Sequence, residues 1–181
     1  RADLVKNLDP SVADQILPLV AKADREDIRR LTSFEEGTAG ALMSSDYATL
    51  HPEMTIEQAL SQIRIQAPSK ETIYYIYVTD DQNHLIGFVS LKDLILSRPD
   101  QKIRDIMHTD VITADLNEDQ EMVARKIEKY DLLAIPVVNS ERQLVGIVNH
   151  DDAMDVIRQE QQEDVEKLMA ISGEHRAGEY L

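Results

Sequence analysis

The sequence predicts an α+β fold in which a short helical segment precedes two copies of one β-α-β-β-α unit. Three observations carry this. Residues 43–89 and 107–148 read as the same text written twice, most plainly where His84-Leu85-Ile86-Gly87-Phe88-Val89 faces Gln143-Leu144-Val145-Gly146-Ile147-Val148. Gly87 and Gly146 lie 59 positions apart, and Asp93 and Asp152 repeat that offset. Ahead of the repeat, apolar residues recur at spacings of three and four, the period of a helix face.

The helical segment comes first. Leu4, Val5, Leu8, Val12, Ile16, Leu17, Val20, Ile28 and Leu31 keep the helical spacing. Asp9-Pro10-Ser11 places an acidic residue before a proline, a helix start signal, and residues 23–27 begin a further helix. Helices this short bury little surface alone, so the segment is expected to continue a longer helical array.

Each copy then runs through the same elements. An extended piece (48–50, then 111–113) leads to an amphipathic helix (56–65, then 120–130). Two apolar strands follow, 73–78 and 86–89 in the first copy, 134–138 and 145–148 in the second. Polar turns at 80–83 and 139–142 have hairpin length. A closing helix begins with acidic residues, Asp93 in one copy and Asp151-Asp152 in the other. The opening methionines, Met43 and Met107, differ by 64 positions rather than 59, which places an insertion of about five residues at 67–71.

Composition narrows the function. With 34 acidic against 19 basic side chains the net charge is -15. Such a surface repels nucleic acid and anionic lipid, which need clustered Lys and Arg. The excess reads either as a solubilising surface or as a cation-binding one. Cysteine is absent, so thiolate metal sites and disulfides are ruled out. No apolar run approaches the ~20 residues that cross a bilayer, so this stretch itself is not expected to insert into a membrane. The chain starts at Arg1 rather than Met, which suggests a piece of a longer protein.

The two Gly-centred stretches, Gly-Phe-Val-Ser-Leu-Lys-Asp-Leu and Gly-Ile-Val-Asn-His-Asp-Asp-Ala, with the Met-Ser-Ser-Asp and Met-His-Thr-Asp openings, resemble the CBS domain, which pairs with a second copy. Within that group the chain resembles the MgtE magnesium transporters. The carriers are Ala39-Gly40-Ala41-Leu42-Met43, residues 71–78, Tyr130-Asp131, residues 148–157 and the acidic stretch 162–168. The resemblance implies four parts: 1–36 as the end of a helical N domain, 37–99 and 100–168 as CBS motifs, and 169–181 as a tail leading toward a plug helix and a membrane domain. It further implies a homodimer through the CBS pairs, a membrane domain in the same parent chain, and a place on the cytoplasmic side of the cell membrane.

Read from the residues alone, Asp151, Asp152, Asp155, Glu160, Glu163, Asp164 and Glu166 form the densest acidic run. Asp152 and Asp155, three apart, share one side of a helix, where like charges repel and a cation relieves them. The rival reading is that Asp151 and Asp152 complement the dipole of a helix start. The resemblance assigns magnesium to Asp152 and Asp155 facing acids of the helical segment, with Asp24 and Asp27 available there. It assigns Asp131 to a site with a carbonyl near Gly40, and Glu121, Glu163 and Asp164 to a site nearer the plug. It also implies an ATP cleft in which Tyr75 packs the base, Lys92 meets phosphate and Asp93 holds the ribose. Ordinary strand packing is the rival for the tyrosines.

Catalysis is poorly supported. The five histidines show no paired ligand spacing, and neither a nucleophile elbow nor a Gly-rich phosphate loop is present. The expected function is a regulatory domain that senses magnesium and gates a pore by negative feedback. The alternative is a CBS-pair adenine-nucleotide sensor regulating an attached enzyme.

Overall fold

The computed structural model describes residues 34–67, 73 and 75–179, with side chains through residue 172. The helical segment of residues 1–33, with Asp24 and Asp27, lies outside the described residues, as do residues 68–71 of the insertion expected at 67–71.

The first copy opens with α1 (Ala39–Leu42), followed by β1 (Thr49–Leu50), α2 (Ile56–Gln66), β2 (Tyr75–Thr79), β3 (Leu85–Ser90) and α3 (Leu91–Leu96). The second repeats the order with α4 (Ile103–Ile106), β4 (Ala114–Asp115), α5 (Gln120–Lys129), β5 (Ala134–Val138), β6 (Leu144–Asn149) and α6 (His150–Glu179). Each makes a three-stranded sheet in which the short first strand pairs parallel to the second and the last two form a hairpin. Even the irregularities recur. Each hairpin shifts register near its turn, at Val78/Thr79 and Val137/Val138. Asn83 and Arg142, 59 apart, both take positive φ in the turns.

Local signals place the helices. Thr55 and Ser90 build capping boxes with Gln58 and Asp93, and the Asp119 carboxylate accepts from the Glu121 and Met122 N–H groups at the start of α5. The buried faces of α2 (Ile56, Ala59, Ile63) and α5 (Val123, Ala124, Ile127) follow the predicted period and pack on their own sheets.

The copies are interlocked rather than merely adjacent. Ser44 exchanges backbone hydrogen bonds with Ile147 of the second copy, at 2.8 and 2.9 Å, and His108 exchanges them with Phe88 of the first, at 2.9 and 3.0 Å. The repeat glycines make this possible. A Cβ at Gly87 would lie 2.7 Å from the His108 carbonyl oxygen, and one at Gly146 would meet Met43 Sδ at 2.5 Å. The hairpin turns also exchange bonds, the Asn83 amide donating to the Leu144 carbonyl at 2.8 Å and the Gln143 amide to the Gln82 carbonyl at 2.9 Å. Between the sheets Tyr77, Leu85, Val138, Leu144 and Ile147 form a shared apolar layer.

Three expectations change. The second copy's extended piece was expected at 111–113, but β4 is Ala114–Asp115, because Val111 and Ile112 line a cavity between the copies instead. The four-residue helices α1 and α4, one before each opening methionine, lacked a sequence signal long enough to read. The tail expected from residue 169 is helical through Glu179 in continuity with α6, and every residue from 161 to 172 is exposed.

Candidate functional site

Two places concentrate chemistry, one acidic and one aromatic. The acidic one follows α6 where it crosses α5. Asp152 and Asp155 occupy the second turn's approach on α6, and burial, then Asp155 and then Asp151, push the Asp152 carboxyl above its usual range. Asp155 has a cation partner in Arg158 Nη1 at 3.4 Å. Further along, Glu160 is also pushed up, by desolvation and by Glu121, Glu163, Asp119 and Asp164 around it. Glu121 stands at the start of α5 and pairs with Arg125 at 2.9 Å.

Glu121, Glu163 and Asp164 thus all act on the Glu160 carboxylate. Sequence reasoning did not assign Glu160, the group they act on, or Asp119, the cap of α5; the i, i+3 and i+4 spacing of Glu160 to Glu163 and Asp164 was the available signal. Asp131 ends α5 with a φ of 51° and is exposed. Gly40 is buried in α1, where its N–H donates to the Leu116 carbonyl at 2.8 Å and a Cβ would meet Leu116 and Phe34 at 3.0 Å. Among the described residues no three His, Asp or Glu side chains converge as a ready-made metal site.

The aromatic place is a cavity of about 110 Å³ between the copies. Tyr75 and Phe88 meet edge to face across its wall, with centroids 5.5 Å apart, and Tyr77, Val111 and Pro136 complete much of the lining. The Tyr77 hydroxyl is buried without a hydrogen-bond partner, and burial, then Tyr75, drive its pKa upward. Tyr75, assigned to a nucleotide cleft by the resemblance, lines this cavity. Asp93 and Lys92 do not line the cavity; they start α3 beside it. Asp93 Oδ2 accepts from the Ser90 N–H at 3.0 Å and contacts His108 Nε2 at 2.9 Å. Burial alone would raise the Asp93 carboxyl, but the bonds from Ser90 and His108 outweigh it and hold it below the usual carboxylate range. His108 also stacks on Phe88, with centroids 5.0 Å apart. Nothing in the sequence marked His108 as part of this place; it reaches Asp93 only through the interlock of the copies.

The two equivalent aspartates therefore differ. Asp93 is anchored and its carboxyl held low, whereas the Asp152 carboxyl is pushed up, by burial first and then by Asp155 and Asp151.

Comparisons with known proteins agree with this architecture. The family model described as "CBS domain" matches residues 39–99 and 103–159. The chain is 40% identical over 167 residues to a magnesium transporter MgtE of Thermus thermophilus, covering 92% of this chain and 37% of that protein. A Bacillus subtilis MgtE is 40% identical over 82% of this chain and 33% of its own length. The chain thus spans about a third of the length of these curated relatives. Among solved structures, the soluble part of a magnesium transporter superposes with a TM-score of 0.72 at 40% identity, covering 88% of this chain and 62% of that one. The cytosolic domain of the Mg2+ channel MgtE, solved in complex with ATP, superposes at 0.67 and 35% identity over 86% and 73%. These relatives are transporters rather than enzymes, and no helix among the described residues is long and apolar enough to cross a membrane.

Proposed function

This chain belongs to the CBS-domain family and is a homologue of the cytosolic domain of MgtE magnesium transporters, and on that premise we propose that it senses intracellular magnesium and gates a pore in its parent protein by negative feedback. The observation that carries the reading is the pair of carboxylates on α6, Asp152 and Glu160, raised first by burial and then by acidic neighbours, Asp155 and Asp151 for the one and Glu121, Glu163, Asp119 and Asp164 for the other. Two unit charges ~4 Å apart repel by about 1 kcal/mol in water and about 4 at an effective dielectric near 20. Surfaces of this kind separate without a counter-ion and close with one. Magnesium supplies that charge neutralisation; Asp152 and Asp155, Asp131 with the Gly40 junction, and Glu121, Glu163 and Asp164 are the groups that would hold it.

A single weak site filled to three to ten times its dissociation constant returns only about 0.8–1.4 kcal/mol. Several sites at the faces between this CBS pair, the helical segment and a second copy add to a decisive bias. The extended α6 leads away from these sites toward the parent's membrane domain, on the cytoplasmic side. Small-angle scattering and calorimetry of the chain with and without millimolar magnesium test this. Compaction and heat that vanish in the Asp152→Ala, Asp155→Ala double variant support it, and identical profiles in both states overturn it.

A second reading is favoured by the aromatic cavity. Its rings, its orphaned Tyr77 hydroxyl and the braced Asp93 beside it suit an adenine nucleotide, with ATP the first to test. Tyr75 and Phe88 would pack the base, Asp93 would take the ribose and Lys92 a phosphate. Tight ATP binding with no effect of magnesium on shape would favour a nucleotide sensor serving an attached enzyme over the feedback model.

A further inference from the structure

Each copy opens on a methionine, and each methionine ends against the repeat glycine of the other copy. Met43 lies so close to Gly146 that a Cβ there would sit 2.5 Å from its sulfur, and Met107 approaches Gly87 in the same way at 2.9 Å. Met43 also packs against the apolar cluster of Ala114, Val137 and Val148, and Met107 against that of Ile76, Val89 and Ile103. The residue after each methionine carries an inter-copy backbone exchange, Ser44 with Ile147 and His108 with Phe88. Both methionine side chains are nevertheless only half-buried, so small solutes reach them.

We propose that Met43 and Met107 form a paired oxidation site through which peroxide loosens the joint between the copies. A sulfur lone pair attacks one peroxide oxygen and forms the S–O bond while the O–O bond breaks. The second oxygen leaves as hydroxide and takes the proton of the first, giving water; the thioether is oxidised by two electrons and the peroxide reduced. The chain has no cysteine, so no thiol of its own intercepts the oxidant. The product, a sulfoxide, is a polar and strongly accepting group. Toward the glycine there is no space even for a methyl group, and toward the apolar cluster an unpaired acceptor is costly. The seam's own donors, the Ser44, Ile147, Phe88 and His108 N–H groups, already serve one another at 2.8–3.0 Å. The oxygen is accommodated when the joint opens. Opening at Met107 also releases His108, the residue that braces Asp93. Methionine sulfoxide is returned to the thioether by dedicated reductases, which makes the change reversible.

Titration of the chain with hydrogen peroxide, followed by peptide mass spectrometry and thermal melts, tests this. Met122 and Met169, 56% and 71% exposed, are expected to oxidise first and to leave the melting temperature unchanged. Oxidation of Met43 and Met107 is then expected to lower it by about 5 °C or more and to shift the His108 ring signal in nuclear magnetic resonance. The Met43→Leu, Met107→Leu double variant keeps the side-chain volume and is expected to hold its melting temperature in peroxide, although Met54, Met122, Met154 and Met169 remain. Each single variant is expected to lose about half as much as the unaltered chain, and decides the point if the double variant does not fold. A double variant that loses as much as the unaltered chain overturns the proposal. So does an unaltered chain in which Met43 and Met107 stay reduced, or in which their sulfoxides leave the melt where it was.

Discussion

Asp93 and His108 meet at 2.9 Å, and in doing so they tie the first turn of α3 to the segment that opens the second copy. The same carboxylate oxygen caps α3 through the Ser90 N–H, so one side chain fixes a helix start and an inter-copy seam. Its folded-state pKa is held low, which sets the sign of its effect. A depressed carboxyl contributes stability in full above the unfolded value, about 3.9, and loses it as pH falls through the folded value. Thermal melts of Asp93→Asn are therefore expected to fall less steeply than those of the unaltered chain as pH drops below about 4. At neutral pH the variant is less stable by about 1 kcal/mol, the usual value of a lost cap.

Asp152 carries the opposite sign. Its folded-state pKa is raised, so the charged form is a cost that is absent below the unfolded value and complete above the raised one. Asp152→Asn is expected to stabilise the chain at neutral pH in the presence of a chelator, by a few tenths of a kcal/mol. In millimolar magnesium the order reverses, because only the unaltered chain gains from the ion. Differential scanning fluorimetry under the two conditions reads both effects, and a variant that is destabilised in chelator contradicts the strained-carboxylate account.

The seam between the copies also makes a steric demand. Gly87→Ala would push a methyl to 2.7 Å from the His108 carbonyl oxygen, and Gly146→Ala would place one 2.9 Å from Met43 Cβ as well as against its sulfur. Neither obstacle is the loose end of a flexible chain. Each substitution is expected to cost about 1–3 kcal/mol in urea unfolding, the range for overpacking. The loss at Gly87 should also weaken the Asp93 to His108 contact, visible as a perturbed His108 ring signal by nuclear magnetic resonance.

Much of this was legible in the sequence because the repeat states it twice. Periodicity located α2 and α5, the turn residues located both hairpins, and the 59-residue offset paired Asp93 with Asp152. What could not be read is what depends on the copies crossing. His108 reaches Asp93, Met43 covers Gly146, and Val111 and Ile112 leave the strand to line a cavity, all through contacts distant in sequence. The acidic run from Asp151 to Glu166 was legible as composition, while Glu121 came only through the resemblance. Glu160 at its centre was not assigned, because a charge run does not show which member faces the neighbouring helix.

Tyr77 supplies the last test, since it is a polar atom where the fold gives no partner. The side chain is 2% exposed and packs its ring against Tyr47, while the hydroxyl is buried and unpaired. An unmet buried hydroxyl forfeits its hydrogen bonds to water, a cost of about 1–3 kcal/mol. The ring's packing is unaffected by removing the oxygen, apart from the small space left behind. Tyr77→Phe is therefore expected to raise the stability of the ligand-free chain by about 1 kcal/mol in urea unfolding, a rare gain for a core substitution. If a nucleotide in the open cavity takes that bond, the same variant binds ATP more weakly. Both changes arise from one oxygen atom, so a Tyr77→Phe chain less stable than the original would mean that the hydroxyl has a partner in solution, such as an internal water.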